Sequence, residues 1–90
     1  MENVRDEPPA RRRINVRFFA MLREQAGCSS AAVETDAADA AALYAELQRS
    51  HALTFPAPLL RVAINDRYAR LTDALHDGDR VVFIPPVAGG

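Results

Sequence analysis

The chain contains no lysine: all 11 of its Lys+Arg residues are arginine. A protein modifier that builds chains of itself needs a lysine to accept the isopeptide bond, so lysine-linked self-conjugation is excluded. A single cysteine, Cys28, excludes an internal disulfide and fits a reducing cytoplasm. No apolar run is long enough to span a bilayer, and no secretory leader is legible, so no membrane partner is expected. A formal net charge of −1 gives no electrostatic reason to bind nucleic acid. Also lacking is any Ser-His-Asp or Cys-His constellation, or a His, Cys and acidic cluster around His51. The expectation is a soluble cytoplasmic domain with no metal, no permanently bound cofactor and no general base of its own.

What is present is one small domain. Ninety residues lie near the lower limit at which a single core holds without staples. Hydrophobic content is 49%. Much of that is alanine, so the core has to come from Ile, Val, Leu, Phe and Tyr.

Residues 1–13 (MENVRDEPPARRR) are polar and end in three arginines. They offer no core face and read as a disordered extension, with Arg11, Arg12 and Arg13 as a solvated charge run. Residues 14–20 alternate, with Ile14, Val16 and Phe18 on one face and Asn15 and Arg17 on the other, the period of a half-buried strand. Phe19 breaks the pattern because alternation puts it on the polar side. Residues 21–26 form a short helical turn stopped by Gly27. Cys28 follows in a loop with no activating base, and reads as structurally inert.

A second strand is expected over 31–35. Asp36 then offers a helix N-cap, with Asp39 at the N3 position. Ala40, Leu43, Tyr44 and Leu47 recur at helical spacing, with Asp39, Glu46 and Arg49 outward, so the main helix runs to about Ser50. Residues 52–60 hold Pro56 and Pro58 and read as a loop. A strand over 61–65, turn chemistry at Asn65 and Asp66, and a short return strand over 67–69 follow. Residues 71–75 connect onward, with Leu71 and Leu75 plugging the core. A tight turn at Asp77, Gly78 and Asp79 leads into the last strand, 80–84. Two strands, a helix and further strands define an α+β fold with a mixed sheet and one main helix across a face.

The last strand passes into Pro85, Pro86, Val87, Ala88, Gly89 and Gly90. Proline fixes φ and keeps its predecessor extended, so Pro85 and Pro86 lift the chain off the sheet as a stiff rod. Six extended residues reach roughly 20 Å. Without Cβ atoms, Gly89 and Gly90 can thread a channel too narrow for other residues. If Val81 and Phe83 point inward, Val82 and Ile84 face out. Phe19 is outward by the same alternation and Tyr68 lies in the neighbouring hairpin. Large apolar residues on an otherwise solvated face, at the edge from which the tail leaves, read as a partner site.

The stretch from Gly78 to Gly90 (GDRVVFIPPVAGG) resembles the ending of the small subunit of molybdopterin synthase, a ubiquitin-like sulfur carrier family. The stretch from Val16 to Gly27 (VRFFAMLREQAG) is similar to that family's first strand and short helix, and the turns at Asn65 and at residues 75–79 match as well. The resemblance spans about residues 14–90, and Pro-Pro-Val-x-Gly-Gly is its most specific part.

The resemblance implies a ubiquitin-like β-grasp over residues 14–84, its last strand central beside the first, and an extended tail over 85–90. It implies that an E1-like adenylyltransferase spends ATP to adenylate Gly90 and that a persulfide donor converts it to a thiocarboxylate. The tail then enters the large subunit of the synthase, in a heterotetramer, and delivers sulfur to cyclic pyranopterin monophosphate to build the molybdopterin dithiolene. Gly89 and Gly90 are the implied reacting end. Phe19, Tyr68, Ile84, Pro85, Pro86, Val87 and Ala88 are the implied partner contacts. Sulfur carriers for thiamine or cysteine biosynthesis share the fold and the Gly-Gly, and a ubiquitin-like modifier would end on a target lysine. The carrier in this reading is not catalytic alone.

Overall fold

The computed structural model describes residues 11–86. Five strands form one mixed sheet: β1 (Arg12–Phe18), β2 (Ser30–Thr35), β3 (Arg61–Ile64), β4 (Arg67–Ala69) and β5 (Arg80–Ile84). The sheet order is β2-β1-β5-β3-β4. β5 runs parallel to β1, with Val16 opposite Val81 and Phe18 opposite Phe83, and antiparallel to β3. The last strand is therefore central, and the fold is the ubiquitin-like β-grasp. Helices α1 (Met21–Ala26) and α2 (Ala40–Ser50) complete it, with a 3-10 turn at Ala57–Leu59.

The strand alternation holds residue by residue. Ile14, Val16, Phe18, Val62, Val81 and Phe83 are fully or almost fully buried beneath the α2 quartet Ala40, Leu43, Tyr44 and Leu47. Each large side chain so buried contributes about 1.5–3 kcal/mol. Tyr44 is the keystone of this layer. Its ring lies 5.1 Å from that of Phe83, and its hydroxyl donates a 2.8 Å hydrogen bond to the Phe55 carbonyl. Burial pushes the Tyr44 phenol above its ordinary value, because the phenolate would lose its hydration. Leu75 plugs the core as expected, whereas Leu71 packs against it only half-buried.

Several boundaries differ from the sequence expectation: β2 starts one residue earlier, at Ser30, β3 ends one residue earlier, at Ile64, and the larger differences lie in β1 and α2. β1 starts at Arg12, within the stretch read as a disordered extension, and ends at Phe18 rather than residue 20. The Arg12 Nε donates to the Leu75 carbonyl at 2.9 Å and its Nη1 to that of Ala37 at 3.3 Å, so this arginine is a strap across the fold and not a solvated charge. The N-cap of α2 is Asp39, whose carboxylate accepts from the Ala42 N–H at 2.8 Å, and not Asp36. The reason is a short bridge. Leu75 N–H donates to the Ala38 carbonyl, Asp39 pairs with Ala74, and the backbone at Asp39 is held extended (φ −145°). The helix can begin only beyond that bridge. Glu46, expected outward, is half-buried and accepts the Thr35 hydroxyl at 2.7 Å, while that hydroxyl oxygen in turn accepts from Ala37 N–H.

The turns behave as their residues dictate. Gly27 takes φ 78° and its N–H closes α1 on the Arg23 carbonyl. Asn65 and Asp66 both have positive φ, the two-residue hairpin geometry that suits the twist of β3 and β4. Asp79, only 7% exposed, ties this hairpin to the start of β5. Its carboxylate accepts from Asn65 Nδ2 and from the His76 N–H, both at 2.8 Å.

Candidate functional site

The sheet face turned away from α2 carries a row of side chains set by register. Tyr68 on β4 lies opposite Ala63 on β3, Ala63 opposite Val82 on β5, and Val82 opposite Arg17 on β1. Ile84, two residues beyond Val82, lies on the same face, and Phe19 follows directly on β1. These residues enclose a shallow concavity of about 430 Å³ with Arg17, Asp66 and Arg80 at its rim. Two of its apolar members stand far into solvent: Tyr68 is 75% and Phe19 41% exposed. Val82 and Ile84 are half-buried.

Phe19 and Ile84, singled out from parity, and Tyr68, from its place in the neighbouring hairpin, are thus brought together on one surface. Phe19 reaches it by a different route from the one expected. β1 has ended at Phe18, and Phe19 is placed by the turn into α1, where its carbonyl accepts from Leu22 N–H at 3.0 Å. The next residue, Ala20, holds a positive-φ backbone (φ 53°, ψ −129°), a sparsely populated conformation that costs a non-glycine residue about 1–3 kcal/mol. The packing of Phe18 and Leu22 on either side, both fully buried, fixes that bend.

The charged rim went unnoticed in the sequence. Arg80 Nη2 pairs with Asp66 Oδ2 at 2.7 Å, and the Arg17 guanidinium stands 5.9 Å from the centre of the Phe19 ring. Alternation did put Arg17 on the outer face, but the adjacency of Arg17 and Val82 is a product of β1–β5 pairing between segments far apart in the chain.

β5 leads from this concavity straight into the tail. Pro85 is buried and Pro86 exposed, so the chain parts from the sheet between them. Val87, Ala88, Gly89 and Gly90 lie outside the described residues. Among the described residues no group of three or more His, Cys, Asp or Glu side chains could hold a metal. No helix among them is long and apolar enough to cross a membrane. His51 lies with its ring 5.6 Å from that of Phe18 and its Nδ1 2.8 Å from the Ser50 hydroxyl, a packed helix end. Cys28 is half-buried against the core.

A β-grasp whose central strand runs without a linker from an exposed apolar hollow into Pro85 and Pro86 defines a class by its fold, that of the small ubiquitin-like domains. The comparisons place it more closely. Residues 16–90 match the ThiS family, and the chain belongs to that family of ubiquitin-related sulfur carriers. It is 39% identical over 80 residues to the molybdopterin synthase sulfur carrier subunit of Haemophilus influenzae, covering 86% of this chain and 99% of that one. Among solved structures, the HVO 2177 protein of Haloferax volcanii superposes with a TM-score of 0.76 at 30% identity, over 94% of this chain and 92% of that one. A chain in the complex of subunits 1 and 2 of the Helicobacter pylori molybdopterin-converting factor superposes with a TM-score of 0.57, also at 30% identity, over 87% of this chain and 99% of that one.

Proposed function

We propose that this chain is the sulfur carrier subunit of a molybdopterin synthase, and that Gly90 carries the sulfur. In this reading a carboxylate, a poor electrophile, is first activated: an E1-like adenylyltransferase joins it to AMP at the expense of ATP. The outer sulfur of a persulfide then displaces the AMP to give an acyl disulfide. A second thiol attacks the donor's sulfur and breaks the S–S bond, so that the two donor thiols leave as a disulfide and the carrier is released as a thiocarboxylate, an anionic soft nucleophile at the end of a stiff rod. The large subunit of the synthase takes up the tail and cyclic pyranopterin monophosphate receives the sulfur in the cytoplasm. The concavity of Phe19, Tyr68 and Ile84 docks the large subunit, while Pro85 to Ala88 span the distance to its active site.

The observation that supports this reading best is the pairing of near full-length similarity to a sulfur carrier subunit with an exposed apolar hollow at the tail exit. The absence of lysine sets self-conjugation aside. The test is reconstitution. Incubation with the adenylating enzyme, ATP, a persulfide donor and a thiol reductant should add about 16 Da to the intact chain as sulfur replaces oxygen. Addition of the large subunit and cyclic pyranopterin monophosphate should then return the original mass and yield molybdopterin. A mass gain with no molybdopterin formed would sink the choice of acceptor and leave the thiamine and cysteine routes.

A further inference from the structure

Arg17 occupies an unusual place for an unpaired charge. It stands on the face of the sheet remote from α2, beside Val82 of the central strand, and lines the same concavity as Phe19, Tyr68 and Ile84. Two other arginines of the outer face have acids of their own, while Arg61, opposite Ile84 on β3, forms no ion pair among the described residues but does not line the concavity. Arg80 pairs with Asp66 at 2.7 Å, and Arg13, further along β1, lies 3.7 Å from Glu34. Among the described residues Arg17 forms no ion pair and has only the Phe19 ring, 5.9 Å away.

Exposed, such a guanidinium is hydrated and costs nothing. Once a partner fills the concavity the water must leave. A cation–π contact with one phenyl ring replaces only part of the lost hydration, and an uncompensated charge left within an interface opposes association. We infer that the partner seated in this concavity presents a carboxylate to Arg17, making Arg17 a specificity-determining residue of docking. Arginine suits the role because its fork of donors binds a carboxylate through two parallel hydrogen bonds and its charge persists at every physiological pH. The apolar members supply contact area, and the Arg17–carboxylate pair sets which acidic-centred surface fits and in which orientation. A hydrophobic partner surface lacking that carboxylate would be rejected.

This inference rests on the docking reading above, and the experiment separates the two. The intact chain is titrated against the recombinant large subunit of molybdopterin synthase from the same organism, at several salt concentrations, beside the variants Arg17→Gln, Arg17→Glu, Arg13→Gln and Ile84→Lys. Arg17 is exposed, so its variants should melt with the wild type. Arg17→Gln is expected to raise Kd about tenfold or more, chiefly through faster dissociation, and to flatten the salt dependence. Arg17→Glu should weaken binding further by setting two carboxylates together, while Arg13→Gln, an equal loss of charge away from the concavity, should leave Kd within about threefold. If Ile84→Lys weakens binding about 30-fold or more but both Arg17 variants bind as tightly as wild type, the carboxylate inference is overturned and the docking face stands. If the wild-type chain does not bind the large subunit, the docking reading fails and takes the inference with it.

Discussion

Two neighbouring residues on β5 should respond oppositely to the same substitution. Phe83 is fully buried, its ring 5.1 Å from Tyr44, opposite Phe18 on one side and Val62 on the other. Phe83→Lys forfeits about 2–3 kcal/mol of burial and places an ammonium where no carboxylate faces it, a further several kcal/mol. The sum, about 5 kcal/mol or more, rivals the roughly 5–13 kcal/mol that hold a chain of this length together. Ile84 is half-buried on the outer face, so its lysine keeps its ammonium in water and loses about 1 kcal/mol, a fall in melting temperature of about 4–8 °C. The same contrast holds between Phe18→Lys, which should unfold the domain, and Phe19→Lys, which should not. Binding inverts the order of interest: Ile84→Lys and Phe19→Lys, folded, should each lose about 2 kcal/mol or more against the large subunit, roughly 30-fold in Kd. Thermal melts of the four variants beside a binding titration decide it. Equal destabilisation by Ile84→Lys and Phe83→Lys would refute the division of the sheet into a core face and a docking face.

Removing Gly90 should abolish sulfur transfer to the acceptor while the melting curve stays put, because the reacting carbon is withdrawn by about 3.5 Å, and an error of even 1 Å costs about 100-fold; a truncated chain that still yields molybdopterin rejects the mechanism. Asp79→Ala strips the Asn65 amide and the His76 N–H of their acceptor in a site only 7% exposed, and should cost about 2–4 kcal/mol in urea unfolding; a loss within about 0.5 kcal/mol would show the network to be dispensable. Tyr44 retains its proton in the folded state beyond the ordinary 10.0 at which the unfolded chain releases it, so above that pH the folded state binds more protons and stability falls as pH rises. Tyr44→Phe should flatten this alkaline limb at a cost of about 1 kcal/mol for the lost bond to Phe55, and an unchanged limb would assign it elsewhere.

Most of the fold could be read from the chain because it rests on local periodicities. Ile14, Val16 and Phe18 at period two, and Ala40, Leu43, Tyr44 and Leu47 at helical spacing, each define a buried face without knowledge of their neighbours. The centrality of β5 was a different matter. Its five residues would suit an edge as well as a centre, and only the resemblance placed it beside β1. Where local signals failed, a distant contact had intervened. Asp36 is as good an N-cap residue as Asp39, but the bridge from Ala74 and Leu75 holds residues 38 and 39 extended and moves the cap three residues on. Arg12 looks like the end of a charged tail until its hydrogen bonds to Leu75 and Ala37 are in place.

The site was legible in one dimension only. Parity says which side of a strand a residue occupies, and this was enough to set Phe19 and Ile84 apart from the core, while Tyr68 stood out only by its place in the neighbouring hairpin. It says nothing of which strands stand side by side, and the concavity exists only because β1, β5, β3 and β4 are consecutive in space. Its apolar residues could be suspected singly, since a large hydrophobe at a polar phase is conspicuous. Its charges could not, because an arginine at a polar phase is what any solvated strand shows. Arg13, Arg17 and Arg80 are indistinguishable in the sequence. Folding separates them, giving Glu34 to the first and Asp66 to the last, and leaving the one beside Val82 with no acid among the described residues. The functional content of a charged residue on such a face thus lies in the partner that the rest of the chain withholds, and register alone reveals it.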